Sequence, residues 1–107
     1  MPETTLTAAD NGRAIEVESA DELVVELDEN ATTGYRWAVE EPLPAGLSLS
    51  SSDYEPGGAT PGAGGKRRIR LHATGAGGGA LSLKLWREWQ GDASVTERFR
   101  VTVTIGA

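Results

Sequence analysis

Apolar and polar residues alternate with a period of two in several short runs, each bounded by Gly, Pro, Asp or Asn. Successive side chains of an extended chain point to opposite faces, so this period marks strands with one buried face. Leu23, Val25 and Leu27 alternate with Glu22, Glu26 and Asp28, interrupted only by Val24. Tyr35, Trp37 and Val39 alternate with Arg36, Ala38 and Glu40. Ile69, Leu71 and Ala73 oppose Arg68, Arg70 and His72, and Leu81, Leu83 and Leu85 oppose Ser82 and Lys84. The clearest run sets Phe99, Val101, Val103 and Ile105 against Arg98, Arg100, Thr102 and Thr104. Weaker strands are predicted at residues 13–17 and 47–51. No window of eleven or more residues keeps an apolar stripe at helical spacing, so essentially no helix is expected.

About seven to eight short strands, each with one apolar face, bury that face by packing two antiparallel sheets against each other. This predicts an all-β fold, an immunoglobulin-like β-sandwich. A length of 107 residues suits a single domain, 1–107. The cysteine pair of antibody domains is missing, and Trp37, on an early central strand, is expected to fill the equivalent core position. Alternate loops of such a sandwich emerge at one end, where residues 30–34, 57–65 and 88–92 are placed to form a composite surface. The glycine runs at residues 57–65 and 75–79 read as loops inside the domain.

Net charge is -6, which argues against nucleic acid and anionic membrane as partners. The charge is unevenly spread. Residues 1–60 hold thirteen Asp/Glu against Arg13 and Arg36, whereas residues 61–107 hold three acids against eight Lys/Arg. The favoured reading is pairing of oppositely charged strands across a sheet, at roughly 0.2–1 kcal/mol per pair. The alternative is a basic rim at residues 66–70 that steers the domain to an acidic partner. No segment approaches the roughly 20 apolar residues of a membrane span. The opening Met1-Pro2-Glu3-Thr4-Thr5 lacks the features of a secretory signal, leaving the cytoplasm or export with the signal removed.

Catalytic motifs fail one after another. Residues 75–80, Gly-Ala-Gly-Gly-Gly-Ala, match a dinucleotide-binding pattern, but a strand follows where a helix is required, and a hairpin turn is expected instead. Gly65-Lys66 resembles a phosphate-binding loop, yet Thr60 stands at its first glycine and Arg67 at its hydroxyl position. Asn30-Ala31-Thr32 fits the glycosylation acceptor pattern, which matters only in a secretory pathway. A lone His72 without cysteine or a second histidine builds no transition-metal site, and no serine on a strained elbow accompanies it. The acid pairs 21–22, 28–29 and 40–41 are adjacent on strands, so their side chains point apart. A binding function is therefore expected, not an enzyme.

Asn30-Ala31-Thr32-Thr33-Gly34-Tyr35, then Gly62-Ala63-Gly64-Gly65, then Arg87-Glu88-Trp89 resemble, in order, the three loop motifs of the chagasin-type inhibitors of papain-like cysteine proteases. There they read Asn-Pro-Thr-Thr-Gly-Tyr, Gly-x-Gly-Gly and Arg-Pro-Trp. The resemblance runs from about Leu23 to the C-terminus. It implies an immunoglobulin-like inhibitor, expected as a monomer and needing no cofactor, that inserts the first loop into the protease cleft and straddles it with the other two. Asn30, Ala31, Thr32, Thr33 and Gly34, with Gly62, Gly64, Gly65, Arg87 and Trp89, would form the contact, Thr32 and Thr33 nearest the target's catalytic cysteine. Tyr35 and Trp37 are read as core. Ala31 and Glu88 replace family prolines, each adding roughly 0.4–1 kcal/mol of ordering cost where the backbone suits proline. A second Gly-x-Gly-Gly at residues 75–78 is a decoy. The alternative is an adhesion or carbohydrate-binding module using the same loops or the tryptophans as a stacking platform.

Overall fold

Along the last strand Phe99, Val101, Val103 and Ile105 are buried while Arg98, Arg100, Thr102 and Thr104 are exposed, so the period-two pattern carries directly into the fold. The computed structural model describes residues 3–30, 33–56 and 64–106. Its strands are β1 (Glu3–Leu6), β2 (Ala14–Glu18), β3 (Glu22–Glu29), β4 (Arg36–Val39), β5 (Ala45–Pro56), β6 (Gly65–Trp86) and β7 (Glu97–Gly106). Short 3-10 turns at Ala8–Asp10, Glu88–Gln90 and Asp92–Ser94 interrupt the connections. The all-β expectation holds.

The sheet itself differs from two separate layers. All seven strands belong to one curled sheet ordered β1-β3-β6-β7-β2, with β4 and β5 also paired to β6. The first half of β6 lies between β3 and β5, and its second half lies between β7 and β4. Pairing is also not wholly antiparallel, because β1 runs parallel to β3 and β2 parallel to β7. Trp37 is buried as expected, but β4 pairs with β6 alone and is an edge strand, not a central one.

The expected hairpin turn at residues 75–79 is overturned: these residues are the middle of the 22-residue β6. Gly77, Gly78 and Gly79 pair with Ile105, Thr104 and Val103, so hydrogen bonding continues through the run. Gly78 and Gly79 have φ of +143° and +149°, which side-chain-bearing residues rarely adopt. A Cβ at Gly78 would also run into the Val103 carbonyl. Glycine here bends a strand so that it serves both halves of the sheet.

Inside the curl, Leu23, Val25, Ile69, Leu71, Leu81, Leu83 and Phe99 form the centre of a single apolar cluster. Each such side chain contributes about 1.5–3 kcal/mol by leaving water. On the outer face β3 and β6 meet as acid against base, Asp28 with Lys66 and Glu26 with Arg68, and His72 Nδ1 lies 3.2 Å from Glu22 Oε1. Arg68 also reaches Glu55 on β5, and Arg70 reaches Glu3 on β1. Pairing across the sheet thus accounts for the basic run, and the basic-rim reading is set aside.

Replacing Gly78 by Ala should cost about 1–3 kcal/mol, because it forces a positive φ and a backbone clash together. Urea unfolding of Gly78→Ala beside Gly75→Ala, where a Cβ meets nothing within 4 Å, checks this.

Candidate functional site

Strand register carries the three connections to one edge of the molecule. Glu29, which ends β3, pairs with Gly65 at the start of β6, and Gly65 also pairs with Pro56 at the end of β5. On the other half Arg36 pairs with Trp86, and Leu85 pairs with Glu97. The first connection (residues 30–35), the second (57–64) and the third (87–96) therefore leave the sheet side by side.

Beneath them lies a buried charge pair that the sequence reading did not single out. Glu29 is 4% exposed, and Arg67 Nη2 donates to its Oε2 at 2.7 Å while Arg67 Nε lies 3.2 Å from both carboxylate oxygens. The Trp37 backbone N–H donates to Glu29 Oε1 at 2.6 Å, and the Trp37 indole N–H donates to the Asp28 carbonyl at 3.0 Å. Every polar group of the cluster is satisfied, as burial of charge demands. The signal was present in the phase: Glu29 continues the inward series Leu23, Val25, Leu27, and Arg67 precedes the inward series Ile69, Leu71, Ala73.

The first connection is closed on itself. The Asn30 carbonyl accepts from the Thr33 N–H at 3.2 Å and from the Thr33 hydroxyl at 2.8 Å, and Thr33 Oγ1 accepts from the Tyr35 N–H at 3.3 Å. Gly34 follows with φ +80°, a turn angle that glycine adopts without strain. Ala31, Thr32 and Gly62 lie outside the described residues. Gly64 is exposed, whereas Gly65 is buried at the base, where a Cβ would stand 2.6 Å from the Tyr54 hydroxyl.

The third connection is fastened to the first. Arg87 Nε donates to the Thr33 carbonyl at 3.1 Å, and its guanidinium lies 4.4 Å above the half-buried Tyr35 ring. Trp89 is 72% exposed, yet its ring edge covers Gly34 so closely that a Cβ there would be 2.6 Å from Trp89 Cη2. The connection is also braced internally. Ser94 Oγ accepts from the Arg87 N–H at 2.9 Å and donates toward the Gly91 carbonyl at 2.7 Å. Lys84 Nζ sits 3.6 Å over the Trp86 ring and 2.9 Å from Asp92 Oδ1, a bond that holds the Asp92 carboxyl below its ordinary range.

Among the described residues no group of three or more His, Cys, Asp or Glu side chains is placed to hold a metal. The edge offers a relief: a closed turn, an exposed indole beside it, and a groove of about 570 Å³ in which Asn30, Thr33, Tyr35, Gly64 and Leu85 lie beside the charged Asp28, Glu29, Lys66 and Glu97. Such a relief suits insertion into a concave surface. A family model described as the chagasin family peptidase inhibitor I42 matches residues 16–103, which takes in all three connections.

The chain belongs to the chagasin family of peptidase inhibitors.

Chagasin from Trypanosoma cruzi is 29% identical over 101 residues, covering 90% of this chain and 92% of its own. The solved cysteine protease inhibitor EhICP2 of Entamoeba histolytica superposes with a TM-score of 0.85 at 24% identity, over 98% of this chain and 96% of its own. Amebosin, solved in solution, gives a TM-score of 0.81 at 30% identity over 98% and 99% of the two chains. Both solved structures share the curled sheet's fold across nearly the whole chain.

Removing Arg67 should be severe. Arg67→Met leaves the Glu29 carboxylate buried and unpaired, at a cost of about 3–5 kcal/mol, and Glu29→Met in the same chain should restore much of that loss, both read by urea unfolding. Gly34→Ala should push the Trp89 ring off the first connection, read by a shift of tryptophan emission, and should cost about 1–3 kcal/mol in urea unfolding because it forces a side-chain-bearing residue to a φ near +80°.

Proposed function

We propose that the chain is a reversible, competitive inhibitor of papain-like cysteine proteases. Residues 30–35 enter the active-site cleft, and residues 57–65 and Arg87-Glu88-Trp89 flank it. The observation that carries this reading is the clasp of the third connection on the first, Arg87 on Thr33 and Tyr35 and Trp89 on Gly34. Two of the three motifs are thereby held as one rigid wedge before any partner arrives. Family membership supports the inhibitory role, and the resemblance of the three loop motifs supports the protease class.

The chemistry follows from the shape. A tight turn closed by hydrogen bonds from Thr33 to Asn30 cannot lay an extended peptide across a nucleophile, so it fills the site without being cut. Loops ordered beforehand lose less entropy on association. Trp89 supplies an aromatic anchor of the kind that dominates interface energetics. In this reading Thr32 and Thr33 of the first motif lie nearest the catalytic cysteine of the target.

Titration of papain or a cathepsin-type enzyme with the protein tests the reading, and absence of inhibition at micromolar concentrations would overturn it. Trp89→Ala should raise the inhibition constant about 30-fold, the scale of one hot-spot residue. Thr32→Arg should raise it further by blocking entry of the first connection. Both variants should unfold at the same denaturant concentration as the parent.

A further inference from the structure

The three connections are almost free of charge. Residues 30–35 and 57–64 contain no acidic or basic side chain, and residues 87–96 contain Arg87, Glu88 and Asp92. Arg87 is turned onto Thr33 and Tyr35, and Asp92 is neutralised by Lys84 at 2.9 Å. Glu88 is different. It stands between the two residues that make the clasp, in the 3-10 turn Glu88–Gln90, exposed and without an ion pair among the described residues. Arg36, the first residue of β4, lines a second groove together with Glu88, but no ion pair joins the two.

Within the wedge reading, on which this inference rests, an exposed carboxylate next to the anchoring Trp89 is carried into or against the target's surface. A carboxylate that loses water without gaining a cation opposes association, and one that meets a cation favours it. We propose that Glu88 is a specificity-determining residue: it selects papain-like proteases that present a Lys or Arg on the cleft rim facing the third connection, and it rejects those with an acid there. The proline at this position of the family motif makes no such distinction. Within the three connections, discrimination by charge therefore falls on Glu88, while the uncharged first and second connections supply binding common to all targets.

A double-mutant cycle decides the matter. Inhibition constants and association rates are measured for the parent, Glu88→Gln and Glu88→Lys against a papain-like protease that the parent inhibits. Each Lys and Arg along that protease's cleft rim is then replaced singly by Gln. Glu88→Gln should weaken inhibition about tenfold and flatten the salt dependence of the association rate, with Glu88→Lys weaker still. The tenfold loss should vanish against one particular rim variant. Equal or tighter inhibition by Glu88→Gln, or the same loss against every rim variant, overturns the charge assignment and leaves the wedge standing. A parent that inhibits no papain-like protease removes the wedge and the charge assignment together.

Discussion

The buried pair of Glu29 and Arg67 is the constraint on which the loop edge depends. It sits at the end of the apolar interior, and its three partners come from three strands: the carboxylate from β3, the guanidinium from β6 and the Trp37 N–H from β4. Burying both charges carries a desolvation cost that their attraction offsets only when the geometry is good. That requirement is also what makes the pair informative. A slip of β6 by one residue along β3 would turn Arg67 to the outer face and leave Glu29 inside without a cation. The pair therefore contributes to register more clearly than to net stability, and register decides where all three connections begin.

From that base, order is passed outward by progressively weaker contacts. The first connection is closed by hydrogen bonds within the turn, and the third is hung on it by one charge-assisted bond from Arg87, one ring contact and the approach of Trp89 to Gly34. None of these is large alone. Together they keep an exposed indole from sweeping solvent, which reduces the entropy lost when a partner engages it. Gly34 is needed twice over, for its φ of +80° and for the space that the indole occupies.

Much of this was legible in the chain. Period-two alternation located β3, β4, β7 and both halves of β6, since each has one face in water. The strand ends that bound the three connections fell at one edge. What failed was pairing, a property of strands that are distant in sequence. Nothing local in Glu3–Leu6 marks it as a strand, and nothing marks β1 or β2 as running parallel to its neighbour. The glycines at 77–79 read as a turn because their use is tertiary: they permit close approach of β7 and a bend in β6. Glu29 and Arg67 were overlooked although both fall in the apolar phase of their strands. A charged residue in that phase is better read as a buried member of a pair than as a strand end.

The distribution of charge joins the sheet to the edge it carries. Acidic β3 and basic β6 neutralise each other along the outer face, and further pairs reach β1 and β5. The strands thereby carry most of the chain's charge, and residues 30–35 and 57–64 carry none. Uncharged amides and hydroxyls exchange water for a partner's hydrogen bonds at small net cost, whereas an unpaired charge does not. Placing charge on the sheet and withholding it from the first two connections is thus one arrangement with two effects: opposite signs favour the pairing of β3 with β6, and the first two connections bring no charge whose desolvation would oppose binding.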